Sequence, residues 1–244
     1  MKRYKLTFEY EGTNFKGWQR QPDVRTVEGV IEDAFSTLYQ QEINIIGQGR
    51  TDSGVHALSQ TAHVDLPDRY QINRIEHAFK GLLPKDVVLK GIAEADKNFH
   101  ARFDAVKRAY RYQISPKPVA LHRNFVWSYF FDLDIELLKE CAEKVMGEHD
   151  FINFCIPKEE EFGTTICSIT NSKWREEDGL LIYEIEGNRF LRHMVRRLVG
   201  SMVQVAVGKI SLNDFVHLLS EEEVRQKAFA APSCGLILTD VLYS

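Results

Sequence analysis

The sequence is short of the residues that announce several common chemistries. It has four cysteines in 244 residues, at 141, 155, 167 and 234, with no pair at C-x-x-C spacing. Zinc and redox motifs are therefore not expected. Its histidines form no H-x-x-H or H-E-x-x-H cluster, so no metal site is expected either. No Walker or dinucleotide-binding glycine pattern occurs, which sets aside ATP and NAD chemistry. No signal-peptide pattern opens the chain, and the longest apolar run, near Leu198–Val207, is too short and too polar at its edges to span a bilayer. The expectation is a cytoplasmic protein with reduced thiols.

A strong charge of one sign is also lacking. Against 31 Lys and Arg stand 35 Asp and Glu, a net charge of −4, which argues against a nucleic-acid partner if the charge is spread evenly. It is not spread evenly. Acids collect at Glu159–Glu161, Glu176–Asp178 and Glu221–Glu223, and bases at Lys107–Arg111 and Arg189–Arg197. An acidic chain can still carry a basic groove.

What is present is a regular alternation of elements. Tyr4, Leu6, Phe8 and Tyr10 alternate with polar residues, giving a strand with one buried face. Thr26 reads as the N-cap of a helix whose Val27, Val30, Ile31, Ala34, Phe35 and Leu38 share a face. Strands follow at 43–46, 62–66 and 87–95, with an amphipathic helix from Ile72 to Leu82 before the last. The second half reads similarly: a strand at 107–114, a helix at 135–145, strands at 165–174 and 180–186 joined by a Glu-Asp-Gly turn, a helix at 190–207, a short helix capped by Ser211 with Asp214 three residues on, and a strand at 236–243. Both halves have the order β-α-β-β-α-β, so the fold class is α+β with two ferredoxin-like halves, residues 1–104 and 105–244, their antiparallel sheets joined around a central cleft.

Four stretches carry candidate chemistry. In GRTDSGVHA (49–57), Asp52 is a turn former, half of an acid pair, or a carboxylate aimed at a substrate. Aspartic proteases need two such carboxylates, and D-S-G occurs once. An arginine within about 4–6 Å, Arg50 for instance, would hold Asp52 ionised. In NRFLRHMVRRLVG (188–200), a helix would place Arg189, Arg192, His193 and Arg196 on one face and Leu191, Met194, Val195, Leu198, Val199 and Met202 on the other. No acid at helical spacing neutralises that stripe, and Gly200 would let a large group approach. In FHARFDAVKRAYRYQI (99–114), Lys107, Arg108 and Arg111 alternate with Tyr110 and Tyr112, a pattern that suits RNA as well as a half-buried strand. In the loop around Trp18, Arg20 and its glutamine neighbours form either a nucleic-acid contact or a structural loop on a packed Trp.

Together FEYEGTNFKGWQRQ (8–21), GRTDSGVHA (49–57), FHARFDAVKRAYRY (99–112), GEHDF (147–151), FLRHMVRRLVG (190–200) and APSCGL (231–236) resemble the bacterial TruA-type tRNA pseudouridine synthases. The resemblance implies isomerisation of uridine to pseudouridine at positions 38–40 of the tRNA anticodon stem-loop, by a homodimer without metal or cofactor. It implies that Asp52 is the catalytic group, that Tyr110 and Arg196 support it, and that Arg50 helps to bind RNA and extrude the base. Arg20, Lys107, Arg108, Arg189, Arg192 and His193 are then candidate RNA contacts. Between Thr164 and Ile169, where the family usually has an arginine, this chain offers Cys167 or Ser168. The rival readings are a catalytically inactive RNA-binding or chaperone protein of the same fold, and an aspartic hydrolase completed across a dimer.

Overall fold

A computed structural model describes residues 1–156, 164–220 and 228–244. The acid runs Glu159–Glu161 and Glu221–Glu223 lie outside the described residues. The class is α+β, and the chain divides into two compact units, Met1–Val106 with Ile237–Ser244, and Lys107–Leu236.

The first unit holds β1 (Lys2–Tyr10), α1 (Val27–Tyr39), β2 (Ile45–Gly47), β3 (His56–Leu66), α2 (Ile72–Leu82) and β4 (Val87–Glu94). β1 is central and antiparallel to both β3 and β4. Its period of two puts Tyr4, Leu6, Phe8 and Tyr10 into the core. There they join Val27, Ile31, Ala34 and Phe35 of α1 and Ile75 and Phe79 of α2, with the Phe35 and Phe79 rings 4.5 Å apart. The Thr26 hydroxyl caps α1 by accepting the Gly29 N–H, which satisfies a donor the helix itself cannot. The far side of β3 is shared: β2 pairs antiparallel with residues 62–64 and the last strand of the chain pairs in parallel with His56 and Ala57.

The second unit holds β5 (Ala105–Ser115), β6 (Trp127–Ser128), α3 (Ile135–Lys144), β7 (Gly147–Asp150), β8 (Ile166–Glu177), β9 (Leu180–Gly187), α4 (Met194–Ala206) and α5 (Leu212–Leu218). Its strands run in the order β5-β9-β8-β7, all antiparallel, with β6 parallel to β5. Asp134 caps α3, and Ser211 with Asp214 forms a capping box on α5. Met194, Val195, Leu198, Val199 and Met202 are all buried, as the apolar side of α4 requires.

Two expectations are corrected here. The last strand, β10 (Leu236–Tyr243), is counted almost wholly with the first unit rather than closing the second half. The reason is a pairing with β3 some 180 residues earlier in the chain, which local pattern does not encode. The helix expected from Phe190 begins only at Met194. Residues 188–192 are committed elsewhere: the Asn188 N–H donates to the Ser168 carbonyl, and the Arg192 carbonyl accepts the Ile156 N–H. His193 then takes a left-handed conformation (φ 65°) and starts the helix. Arg189, Arg192 and His193 are therefore not members of a helical stripe with Arg196.

Candidate active-site loop and its supports

Asp52 stands at the first position of a tight turn. The Val55 N–H donates to the Asp52 carbonyl at 3.2 Å, and Gly54 at the third position has φ 78°, the requirement of a type II turn. So the turn reading of D-S-G is right for the backbone. Several neighbouring groups fasten the turn. The Ser53 hydroxyl and the Gly54 N–H both donate to the Phe15 carbonyl, at 3.1 and 3.3 Å. The Trp18 N–H donates to the Thr51 carbonyl, and the Thr51 and Tyr10 hydroxyls are 2.7 Å apart. His56 accepts the Gly12 N–H on Nδ1. The approach at Gly12 is so close that a Cβ there would overlap the Val55 carbonyl. Thr51, Val55 and His56 are buried, Asp52 is half-buried and Arg50 is exposed. The loop is a cast backbone that buries its neighbours and brings Asp52 and Arg50 to the surface side.

The loop from Gly12 to Gln21 is thus the mould of the Asp52 turn. Trp18 is buried against it and donates to Glu28. Arg20 is turned away from this work: its guanidinium meets Glu32 at 3.1 Å and Asp33 at 2.9 Å on α1. The two carboxylates compete with any phosphate for this half-exposed cation.

In the second unit, Arg196 lies in the first turn of α4. Its Nε donates to the Ala231 carbonyl at 2.8 Å, its carbonyl accepts the Ala231 N–H at 2.9 Å, and its Nη1 is 3.2 Å from His193 Nδ1. The segment Ala231–Gly235 is clamped from the other side by Tyr112, whose hydroxyl donates to the Pro232 carbonyl and whose ring fills the space a Cβ on Gly235 would need. Burial pushes the Tyr112 phenol far up, so it remains a donor. The large group expected at Gly200 is the chain itself: a Cβ there would overlap the Phe229 carbonyl. The APSCGL segment is the strap that holds Arg196, a role its residues do not announce. Three small residues around a proline were the available signal.

Tyr110 is half-buried on β5, opposite Ile185, and meets the Phe190 ring edge-on at 5.1 Å. Lys107 pairs with Glu186 at 3.0 Å, and Arg108 donates to the Asn188 carbonyl at 2.7 Å. Arg192 is exposed and Arg189 half-buried. Arg197, not singled out from sequence, donates to the Cys155 carbonyl at 2.6 Å. At the departure near position 167, Cys167 is fully buried and its thiol is pushed up to about 11 by that burial, with Arg189 pulling the other way. Arg189 is thus close enough to Cys167 to act on its thiol. Among the described residues no group of three or more His, Cys, Asp or Glu is placed to hold a metal ion, and no helix is long and apolar enough to cross a membrane.

The family model described as tRNA pseudouridine synthase matches residues 6–104 and 141–244. The chain belongs to the tRNA pseudouridine synthase family. It is 40% identical over 247 residues to tRNA pseudouridine synthase A of Thermosipho africanus, and 38% identical over 244 residues to that of Pelodictyon phaeoclathratiforme, in each case over the whole of both chains. With the protein of the same name from Chlorobium luteolum it shares 36% identity, over all of this chain and 96% of that one. Lys107, Arg108 and Tyr110 fall in the stretch the family model leaves unmatched, while the full-length relatives span it. Membership in this family makes the chain an isomerase that acts on tRNA.

Proposed function

We propose that this tRNA pseudouridine synthase isomerises uridine at positions 38–40 of the anticodon stem-loop, with Asp52 as the nucleophile or charge stabiliser. The observation that carries the reading is the Asp52 turn. Its backbone is secured by Gly54, Ser53, Phe15 and Thr51, so the loop holds Asp52 at a fixed place. The reaction breaks the N1–C1′ bond, turns the uracil, joins C5 to C1′, releases the C5 proton and leaves N1 protonated. Breaking a glycosidic bond develops positive charge on the sugar, where a fixed carboxylate stabilises it.

A uridine paired in a stem must leave the stack before this chemistry, at a cost of a few kcal/mol. Arg50, exposed two residues before Asp52, supplies a cation for that step. Tyr110 and Arg196 keep the supporting roles that the family resemblance gives them. Arg108, Arg189, Arg192 and His193 remain RNA contacts in this proposal. Lys107, paired with Glu186, and Arg20, paired with Glu32 and Asp33, contribute less than their charges suggest. The first unit, with strand order β4-β1-β3-β2, is read as ferredoxin-like, and the second as its counterpart. The protein is read as a cytoplasmic homodimer that needs no cofactor.

The test is to incubate the purified protein with unmodified tRNA transcripts and map pseudouridine along each. The expected outcome is conversion at uridines 38, 39 or 40. Conversion confined to another part of the tRNA would overturn the positional assignment.

A further inference from the structure

Phe103 is 75% exposed. Single exposed apolar side chains are ordinary, but this ring stands on a rigid base. The His100 N–H donates to the Asp104 carboxylate at 2.8 Å, and the Asp104 N–H returns to the His100 carbonyl at 3.0 Å. The N–H groups of Arg102 and Phe103 both donate to His100 Nδ1, at 3.2 and 3.3 Å. The Ala101 N–H donates to Nδ1 of buried His63, and the Ala101 carbonyl accepts the Tyr243 hydroxyl at 2.7 Å. The Phe99 carbonyl accepts from Arg3. Burial and the nearby Arg3 pull His63 down to about 4, so it stays a neutral acceptor.

On this base the Phe103 ring stacks on the His100 ring, with centroids 4.3 Å apart and planes 30° apart. The Arg102 guanidinium carbon lies 5.7 Å from the Phe103 centroid. A pre-ordered, outward aromatic ring beside a cation is what a single nucleobase stacks on. Exposed Arg102 and Asp104 flank the ring in sequence, unlike the apolar centre of a protein–protein contact.

We propose that Phe103 is a stacking platform for one nucleobase of the tRNA, remote from the reacting uridine. The proposal rests on the tRNA-modifying reading above. His63, which braces the platform, lies seven residues along β3 from His56 of the catalytic loop, about 23 Å at strand rise. That separation makes the contact one of binding and register rather than chemistry.

The test measures binding of a full-length tRNA transcript, the rate at saturating tRNA, and sedimentation, for wild type and for Phe103→Ala, Phe103→Leu and Phe103→Trp. Phe103→Ala and Phe103→Leu are expected to bind about 5- to 100-fold more weakly, with the saturated rate and the oligomeric state unchanged. Phe103→Trp is expected to bind within about threefold of wild type, its added fluorescence quenched by tRNA. Wild-type affinity in Phe103→Ala overturns the proposal, as does full affinity in Phe103→Leu, which would indicate simple apolar burial. Altered sedimentation with unchanged tRNA affinity would instead make the ring a contact between copies of the chain. A wild-type protein that neither binds nor modifies tRNA would sink the functional reading and the platform together; one that does both, beside an indifferent Phe103→Ala, sinks the platform alone.

Discussion

The turn at Asp52 and the start of α4 at Arg196 solve the same problem with different materials. Each must hold one side chain at a fixed place. The turn puts its positive φ on Gly54, where no Cβ resists it, and borrows the Phe15 carbonyl as an anchor. The start of α4 puts a positive φ on His193, where it costs roughly 1–2 kcal/mol, and borrows the Ala231 carbonyl. The glycine turn is an inexpensive backbone shape. The histidine is a strained one, retained with its ring beside Arg196, and strain of this kind collects where a site needs it. Both regions also rest on a glycine pressed against a second segment, Gly12 on Val55 and Gly200 on Phe229.

The largest effects should come from those two glycines. Gly12→Ala and Gly200→Ala are each expected to lower stability by about 2–3 kcal/mol, read from urea unfolding. Gly12→Ala should disturb the Asp52 turn, and Gly200→Ala the strap that grips Arg196, so both should also slow turnover of the protein that remains folded. If either is neutral, the close approach at that region is not a constraint and the parallel between the two fails.

A smaller effect sharpens the contrast in backbone. Gly54→Ala should cost about 1–2 kcal/mol, since it forces a Cβ into a left-handed conformation. His193→Gly should change stability by less than about 1 kcal/mol, relief of strain being offset by the freedom of an unfolded glycine. Its turnover should nevertheless fall, because Arg196 loses a neighbour. Equal losses of stability in the two variants would mean that His193 is not strained.

The contrast also explains what the sequence could and could not say. Helix starts marked by local chemistry were legible: Thr26 on α1 and the Ser211–Asp214 box on α5 fall where capping residues at fixed spacing put them. So was the alternation of β1. The apolar side of α4 was right from Met194 onward, yet its start was placed four residues early. Nothing local in Phe190–Leu191–Arg192–His193 reveals that Ile156 and Ser168 draw this stretch into other hydrogen bonds. The partner of β10 was hidden for the same reason, being a parallel neighbour distant in sequence. At the candidate site, GRTDSGVHA by itself left Asp52 open between a turn, an acid pair and a substrate carboxylate, and the resemblance of several stretches together pointed to it, whereas the mould around it, Phe15, Thr51 and Tyr10, consists of ordinary core residues. Arg20 looked like a free cation until α1 supplied Glu32 and Asp33.

The central claim is that Asp52 is the group that acts in the chemistry. The most direct measurement is tritium release from C5-labelled tRNA by Asp52→Asn, with tRNA binding and unfolding followed on the same preparation. The account predicts release slowed by at least about a thousandfold, from a protein that still folds and binds tRNA with close to wild-type affinity. Release near the wild-type rate from a folded, tRNA-binding Asp52→Asn protein would contradict it.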